Sequence, residues 1–280
     1  MKFYNTNKSL QEDILKLKNK TTIGFVPTMG ALHEGHLSLI KRAKKENNFI
    51  VVSIFVNPTQ FDKQEDLDQY PRTLEKDLEL LKTVDCDAVF VPDTNDIYNN
   101  QILAVDFDFG GLEFEMEGKH RIGHFNGVGT IVQKLFDIVK PNKAYFGEKD
   151  FQQLQIIRNM VKKNHIPVEI IGCKIFREKD GLAMSSRNVR LSEDQRKMAP
   201  FIFKILKKAK EKFKDNSISE VITWVQKEFE NNSILKLEYF EIANIETLKP
   251  TKRKSKKVKY RGFIAAFAGN VRLIDNIALN

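Results

Sequence analysis

His33 and His36 stand three residues apart in the stretch TTIGFVPTMGALHEGHLSLIKRAKKE, residues 21–46. Ile23, Phe25 and Val26 start it as an apolar strand, Pro27-Thr28-Met29-Gly30 interrupt it, and Leu37, Leu39, Ile40 and Ala43 follow at near-helical spacing. At that spacing two imidazoles fall on one face of a helical turn. Gly30 and Gly35 let the backbone pass close to a ligand. A helix N-terminus gathers unpaired N–H groups and partial positive charge, which makes it a seat for phosphate. The same field disfavours imidazolium, and a neutral imidazole still donates to a phosphate oxygen. A plain capped helix start is the other reading of such a pair.

Four more polar turns follow along the chain. Residues 49–56, FIVVSIFV, form a continuous apolar run of the kind buried on both faces of a parallel sheet, and it ends in Asn57-Pro58-Thr59-Gln60-Phe61. Residues 117–127, EGKHRIGHFNG, set three glycines among Lys119, His120, Arg121 and His124, as a phosphate-facing loop or lid, or else as a solvated basic loop. A strand over 143–146 runs into Gly147-Glu148-Lys149-Asp150 and then a helix to about residue 164. Asp150 there suits an N-cap, whereas Lys149 is a cation at a helix N-terminus and asks for an anion beside it. A strand over 168–176 precedes REKDGLAMSSR, with a turn at Asp180-Gly181 and then Ser185, Ser186 and Arg187, which suit either a helix cap or an anion.

The elements that carry these turns alternate. Five strands (from about residues 23, 49, 87, 143 and 168) interleave with helices, which predicts a right-handed, parallel, Rossmann-like α/β sheet with helices on both faces. The turns all follow strand ends and so converge on one edge. Residues 94–116 show no clear period. From residue 177 the texture changes to a smaller α+β unit, so the domains are expected at 1–176 and 177–280. In it, Ser192 to Gln195 is a capping-box pattern opening a long helix to about 213, and residues 217–231 form a second amphipathic helix. Strands follow over 236–243, 260–268 and 271–274, the last two joined by a hairpin at Gly269-Asn270.

The chain has 280 residues, 41% hydrophobic and 30% charged, with a net charge of +9, which suits an anionic partner. No apolar run approaches the ~20 residues of a membrane helix, and the polar N-terminus lacks a signal-peptide core. Cys86 and Cys173 lie far apart with no metal-type spacing. A cytoplasmic protein with no membrane partner is therefore expected. The basic run 249–259, KPTKRKSKKVK, has no interleaved aromatic and reads as a solvated loop rather than a nucleic-acid site.

PTMGALHEGH at 27–36, FVNPTQF at 55–61, YPRT at 70–73, RIGHFNGV at 121–128, GEKDFQQ at 147–153 and MSSRN at 184–188 stand in the order of one family's blocks. The chain resembles, over essentially its whole length, the pantoate–β-alanine ligase (pantothenate synthetase) family of the nucleotidylyltransferase superfamily. The resemblance implies condensation of pantoate with β-alanine, using ATP and Mg²⁺ and releasing AMP and diphosphate, in a homodimer. It makes Met29, Gly30, Ala31, Leu32, His33, Glu34, Gly35 and His36 the ATP phosphate turn, with His36 as proton donor. Gly147, Glu148, Lys149, Asp150 and Phe176 would seat the nucleotide, and Met184, Ser185, Ser186 and Arg187 would close on the triphosphate. His33, His36, Lys149 and Arg187 are the catalytic set. Gln60 and Gln153 would hold pantoate, with Asn57, Arg121 and His124 near them and Pro27, Met29 and Phe61 as an apolar wall. Gln60 also borders the β-alanine position, and Asp77 is a candidate for Mg²⁺. Ile122 replaces the family's usual Pro, and Phe176 its usual small aliphatic residue. Another adenylyl-transferring enzyme of the superfamily is the runner-up.

Overall fold

In the computed structural model, which describes residues 1–18 and 20–280, six strands form one sheet. They are β1 (Lys2–Tyr4), β2 (Ile23–Thr28), β3 (Phe49–Ile54), β4 (Ala88–Phe90), β5 (Lys143–Gly147) and β6 (Glu169–Cys173). Their order is β1-β4-β3-β2-β5-β6, and each pairing is parallel. The five expected strands are present. The sixth, β1, is the three-residue KFY at the sheet edge, too short to show a period of two within a polar stretch.

The helices up to β6 are α1 (Asn7–Leu15), α2 (Glu34–Glu46), α3 (Gln64–Asp68), α4 (Leu74–Lys82), α5 (Thr94–Tyr98), α6 (Glu117–His120), α7 (His124–Val139) and α8 (Phe151–Lys163), and helical crossovers are what parallel pairing requires. Ile50, Val51 and Val52 of β3 are fully buried, as a central strand covered on both faces must be. Ile40 and Ala43 of α2 join Val26, Ile50, Val52 and Val89 in one cluster. Each large apolar side chain so buried contributes roughly 1.5–3 kcal/mol. Residues 117–127 are not an open loop: α6 and the first turn of α7 take most of them, and α7 starts at His124. Residues 94–116, which show no sequence period, hold α5 and an extended stretch.

The chain divides into two compact units. The first contains Met1–Gly110, Arg121–Glu148 and Gln153–Lys174; the second contains Gly111–His120, Lys149–Gln152 and Ile175–Asn280. In the second, α9 (Glu193–Met198), α10 (Phe201–Asp215) and α11 (Ile218–Glu230) lead to an antiparallel sheet of β7 (Leu235–Asn244), β8 (Tyr260–Ala268) and β9 (Val271–Ala278). The single long helix expected from Ser192 is two helices, because Pro200 has no N–H to continue the first. The capping box of Ser192 and Gln195 is formed. Gly269 takes φ +58° at the β8–β9 turn, and β9 runs four residues beyond its apolar core pattern. The basic run 249–259 is mostly exposed between β7 and β8.

Cys86 and Cys173 are both free and buried. Burial pushes the Cys86 thiol up to about 12 and raises that of Cys173 against the pull of the Arg42 guanidinium. Only the thiolate is a good nucleophile. Native protein treated with iodoacetamide at pH 8 is therefore expected to keep both thiols while a denatured sample is fully alkylated. Equal labelling of the two samples by mass spectrometry would contradict this burial.

Candidate active site

The strand order reverses at β2: the chain moves outward through β3 and β4, then returns to place β5 on the other side of β2. Ligands in open α/β sheets sit at such a switch point, outside the carboxyl ends of the strands. The β2–β5 register covers Gly24 with Lys143 and Phe25 with Ala144, whereas β2–β3 continues to Thr28 and Ile54. The two strands part beyond Phe25. Pro27 lies in this part of β2, where the β5 edge asks for no donor from it.

The turn after β2 is held from below. Gly30 has φ +80° and Ala31 φ +48°. Asp77, buried at the start of α4, accepts from Ala31 N at 2.9 Å and Leu32 N at 2.8 Å and from Thr73 Oγ1 at 3.1 Å. A Cβ on Gly30 would meet Ile54 Cγ2 at 3.0 Å and Asp77 Oδ2 at 3.1 Å, so glycine suits both the conformation and the space. Thr28 Oγ1 donates to Ser53 O at 2.7 Å and accepts from Gly30 N at 3.2 Å. Among the described residues no group of three or more His, Cys, Asp or Glu could hold a metal. Asp77, the candidate for Mg²⁺, spends its carboxylate on this turn.

The histidines do not share a helical face. His33 is the N-cap of α2, extended at φ −146°, and only His36 lies in the helix. His33 Nδ1 accepts from Gly35 N at 3.1 Å, and His36 Nδ1 accepts from His33 N at 3.3 Å. Each Nδ1 that accepts an N–H carries no proton, so each neutral ring bears its proton on Nε2. The ring centroids are 4.0 Å apart. Capping geometry, rather than helical period, brings the two imidazoles together.

The turn after β3 forms a second cluster in the same unit. Asn57 is buried; its Nδ2 donates to Gln60 Oε1 at 3.1 Å and Gly127 O at 3.2 Å, and its Oδ1 accepts from Tyr98 OH at 2.5 Å. Gln60 Nε2 lies 2.9 Å from Met29 Sδ. Gln60 O accepts from Arg121 Nη2 at 3.2 Å and from His124 Nδ1 at 2.7 Å. A carbonyl can only accept, so His124 Nδ1 bears the ring proton; Arg121 can only donate, so Nε2 is the acceptor, at 3.1 Å from Nη1. Arg121 Nε also reaches Asp62 Oδ1 at 3.1 Å. Phe61 packs edge-on to Tyr70, centroids 5.8 Å apart. Met29, Asn57, Gln60, Arg121 and His124 are thus joined by direct contacts. Ile122, where the resemblance expects Pro, is exposed and leaves the Arg121 and His124 contacts intact.

Gly147 ends β5 opposite Cys173, and Glu148 opens the turn that follows. Gln153 is partly exposed on the first turn of α8. Lys149, Asp150 and residues 184–187 belong to the second unit. There, Lys149 Nζ lies 3.5 Å from Asp150 Oδ1, so the anion that a cation at this helix start asks for is its own neighbour. Arg177 bridges Ala183, Met184 N donates to Phe176 O at 3.0 Å, and the Phe176 side chain is exposed. Ser185 Oγ caps the short 3-10 turn Ser186–Arg190 by accepting from Arg187 N at 3.3 Å.

Several buried contacts carry no local sequence signal. Tyr98, in the aperiodic stretch, grips Asn57. Gln152 rather than Gln153 is buried, with Oε1 accepting from Glu117 N and Nε2 donating to Leu112 O and Glu115 O, each within 3.0 Å. Gly127 is decisive for the second cluster, since a Cβ there would lie 2.1 Å from Thr59 O and 2.7 Å from Gln60 N. Gly127→Ala should force α7 off residues 57–60, destabilise the fold by about 1–3 kcal/mol and disturb Gln60. Thermal melts and activity together check this, and an unshifted melting temperature with full activity would refute it.

Residues 2–278 match the family described as Pantoate-beta-alanine ligase. The chain is 55% identical over 282 residues to the pantothenate synthetase of Christiangramia forsetii, covering 100% of both chains. It is 57% identical over 264 residues to that of Flavobacterium psychrophilum, covering 94% of each. The crystal structure of pantothenate synthetase from Thermus thermophilus superposes with a TM-score of 0.92 at 40% identity, over 100% of this chain and 99% of that one. A pantoate-beta-alanine ligase from Francisella tularensis, complexed with beta-gamma ATP and beta-alanine, matches with a TM-score of 0.82 at 37% identity, over 100% and 98% of the two chains. With a match of this length and closeness, and with the switch-point turns in place, the chain belongs to the pantoate–β-alanine ligase family.

Proposed function

We propose that the protein joins pantoate to β-alanine through a pantoyl adenylate, consuming ATP and releasing diphosphate and AMP. The observation that carries this is full-length similarity to family members together with two imidazoles whose Nδ1 atoms are spent on the backbone, putting the ring protons at Nε2. In the first step a carboxylate oxygen of pantoate attacks the α-phosphorus in line; the new O–P bond forms as the bond to diphosphate breaks. Two anions must be held together, which calls for fixed N–H donors and cations rather than a covalent protein group. His33 and His36 would donate to the phosphates, His36 as the main proton donor, with Lys149 and Arg187 as the cations. Gln60 and Gln153 would hold pantoate's polar groups, against Pro27, Met29 and Phe61. In the second step the neutral β-alanine amine attacks the acyl carbon, AMP leaves with its oxygen, and the nitrogen loses a proton. Positioning alone can supply about 7–11 kcal/mol of such a barrier.

Mg²⁺ fits a site of this kind as an ion carried on ATP phosphates, since it keeps few protein ligands and supplies charge neutralisation there. Asp77 would meet it only by releasing part of its hold on residues 31 and 32.

A homodimer is the assembly this reading adopts. Residues 101–109 are extended, with Ile102, Leu103 and Val105 exposed. One edge of that stretch is occupied by α7, where Thr130 Oγ1 accepts from Val105 N at 2.8 Å and Asn126 Oδ1 from Phe107 N at 3.2 Å. The other edge suits a second copy. Two unpaired buried thiols suit a reducing cytoplasm.

Incubation with ATP, Mg²⁺, pantoate and β-alanine, each omitted in turn, is expected to give AMP and diphosphate only with pantoate, and pantothenate only when β-alanine is added. ADP and phosphate as products would reject the reading. His36→Ala should slow adenylation about 10²–10³-fold, the scale of losing one preorganised donor, and an unchanged single-turnover rate would make the residue merely structural. Leu103→Asp should shift the protein from dimer to monomer in light scattering; an unaltered mass would place the interface elsewhere.

A further inference from the structure

One strand of the second unit grips three separate segments, each of which runs directly into a block of the proposed ligand residues. On one face of β9, Arg272 Nη1 and Nη2 donate to Glu117 Oε2 and Oε1 at 2.7 and 2.8 Å. Tyr239 OH adds a bond to Glu117 Oε1 at 2.6 Å, and Glu238 Oε2 accepts from Arg272 Nε at 2.9 Å. Four residues after Glu117 comes Arg121, which with His124 holds Gln60. Four residues along the same face, Asn276 Nδ2 donates to Lys149 O at 2.8 Å. Between them, on the face that Val271 and Leu273 turn to the helices, Asp275 takes a bidentate pair from Arg177 at 2.6 and 2.9 Å. Arg177 starts the hairpin that bridges to Ala183 and leads to Ser185, Ser186 and Arg187.

These are costly contacts for an edge strand to keep. Asp275 and Asn276 are 4% and 2% exposed, and a buried ion pair seldom adds net stability over well-packed apolar residues. Planar, bidentate guanidinium pairs instead fix geometry. We infer that Arg272, Asp275 and Asn276 of β9 are positioning residues that set the placement of the pantoate-holding and triphosphate-holding segments separately. The inference rests on the assignment of those segments made above. Arg272, through Glu117, governs residues 121–124 and thus the pantoate side. Asn276 governs Lys149, and Asp275, through Arg177, governs residues 184–187; both act on the ATP side.

The test is steady-state kinetics on the full-length protein with pantoate and ATP varied in turn. Glu117→Gln should raise KM for pantoate at least about fivefold with KM for ATP unmoved, as loss of a charge-assisted contact allows. Arg177→Lys and Asn276→Asp should do the reverse, since each removes a directed donor while keeping side-chain size. Should Glu117→Gln fail to fold, Tyr239→Phe takes one donor from the same carboxylate and carries the same expectation. Should Asn276→Asp or Arg177→Lys fail, Asp275→Asn carries theirs. A fall in kcat with all KM values unchanged, or both KM values rising together in every variant, would overturn the inference and leave a structural role. Wild-type protein that makes no pantothenate would instead overturn the functional reading itself.

Discussion

The turn that carries His33 and His36 depends on where β2 and β5 stop pairing. Gly24–Lys143 and Phe25–Ala144 join them, and beyond these the strands diverge while β2 stays paired to β3. A parallel sheet that reverses its order must open there, because the crossovers leave β2 and β5 in opposite directions. The opening tolerates Pro27 near the end of a central strand and frees the chain to turn at Gly30. It also puts the turns after β2 and β5 at one edge with no contribution from any single side chain.

What the opening then needs is rigidity. The turn at 30–32 is braced by one buried carboxylate: Asp77 accepts from the backbone N–H groups of Ala31 and Leu32. The histidines serve the backbone, since their capping bonds fix ring orientation and tautomer together. Gln60 is fixed in the same way, its carbonyl held by Arg121 and His124 and its side chain by Asn57. Donors held before a ligand arrives need no reorganisation when charge develops, which is the source of electrostatic catalysis.

The net charge of +9 is unevenly spread along the chain. Residues 249–259 hold seven bases and no acid, and α10 holds six lysines against Glu211 and Asp215. These two segments exceed the excess of the whole chain, and Lys254 joins them by donating to Phe213 O. The positive charge that sequence composition links to an anionic partner is therefore concentrated on α10 and the β7–β8 connection.

Local pattern was enough for five of the six strands of the parallel sheet, the turns that follow them, the hairpin at Gly269-Asn270 and the blocks of residues now grouped in the two clusters. Apolar runs, glycines and capping residues act over a few positions, so their meaning survives without knowledge of the fold. Sequence could not show β1, the break at Pro200 in its true extent, or that His33 is a cap rather than a helical residue. Nor could it show which groups Tyr98, Gln152, Glu117 and Arg272 contact, because their partners lie 35 to 155 positions away. Hydrogen bonds across such distances are set by how strands and helices stack, and only the tertiary structure decides which polar side chain a buried group will meet.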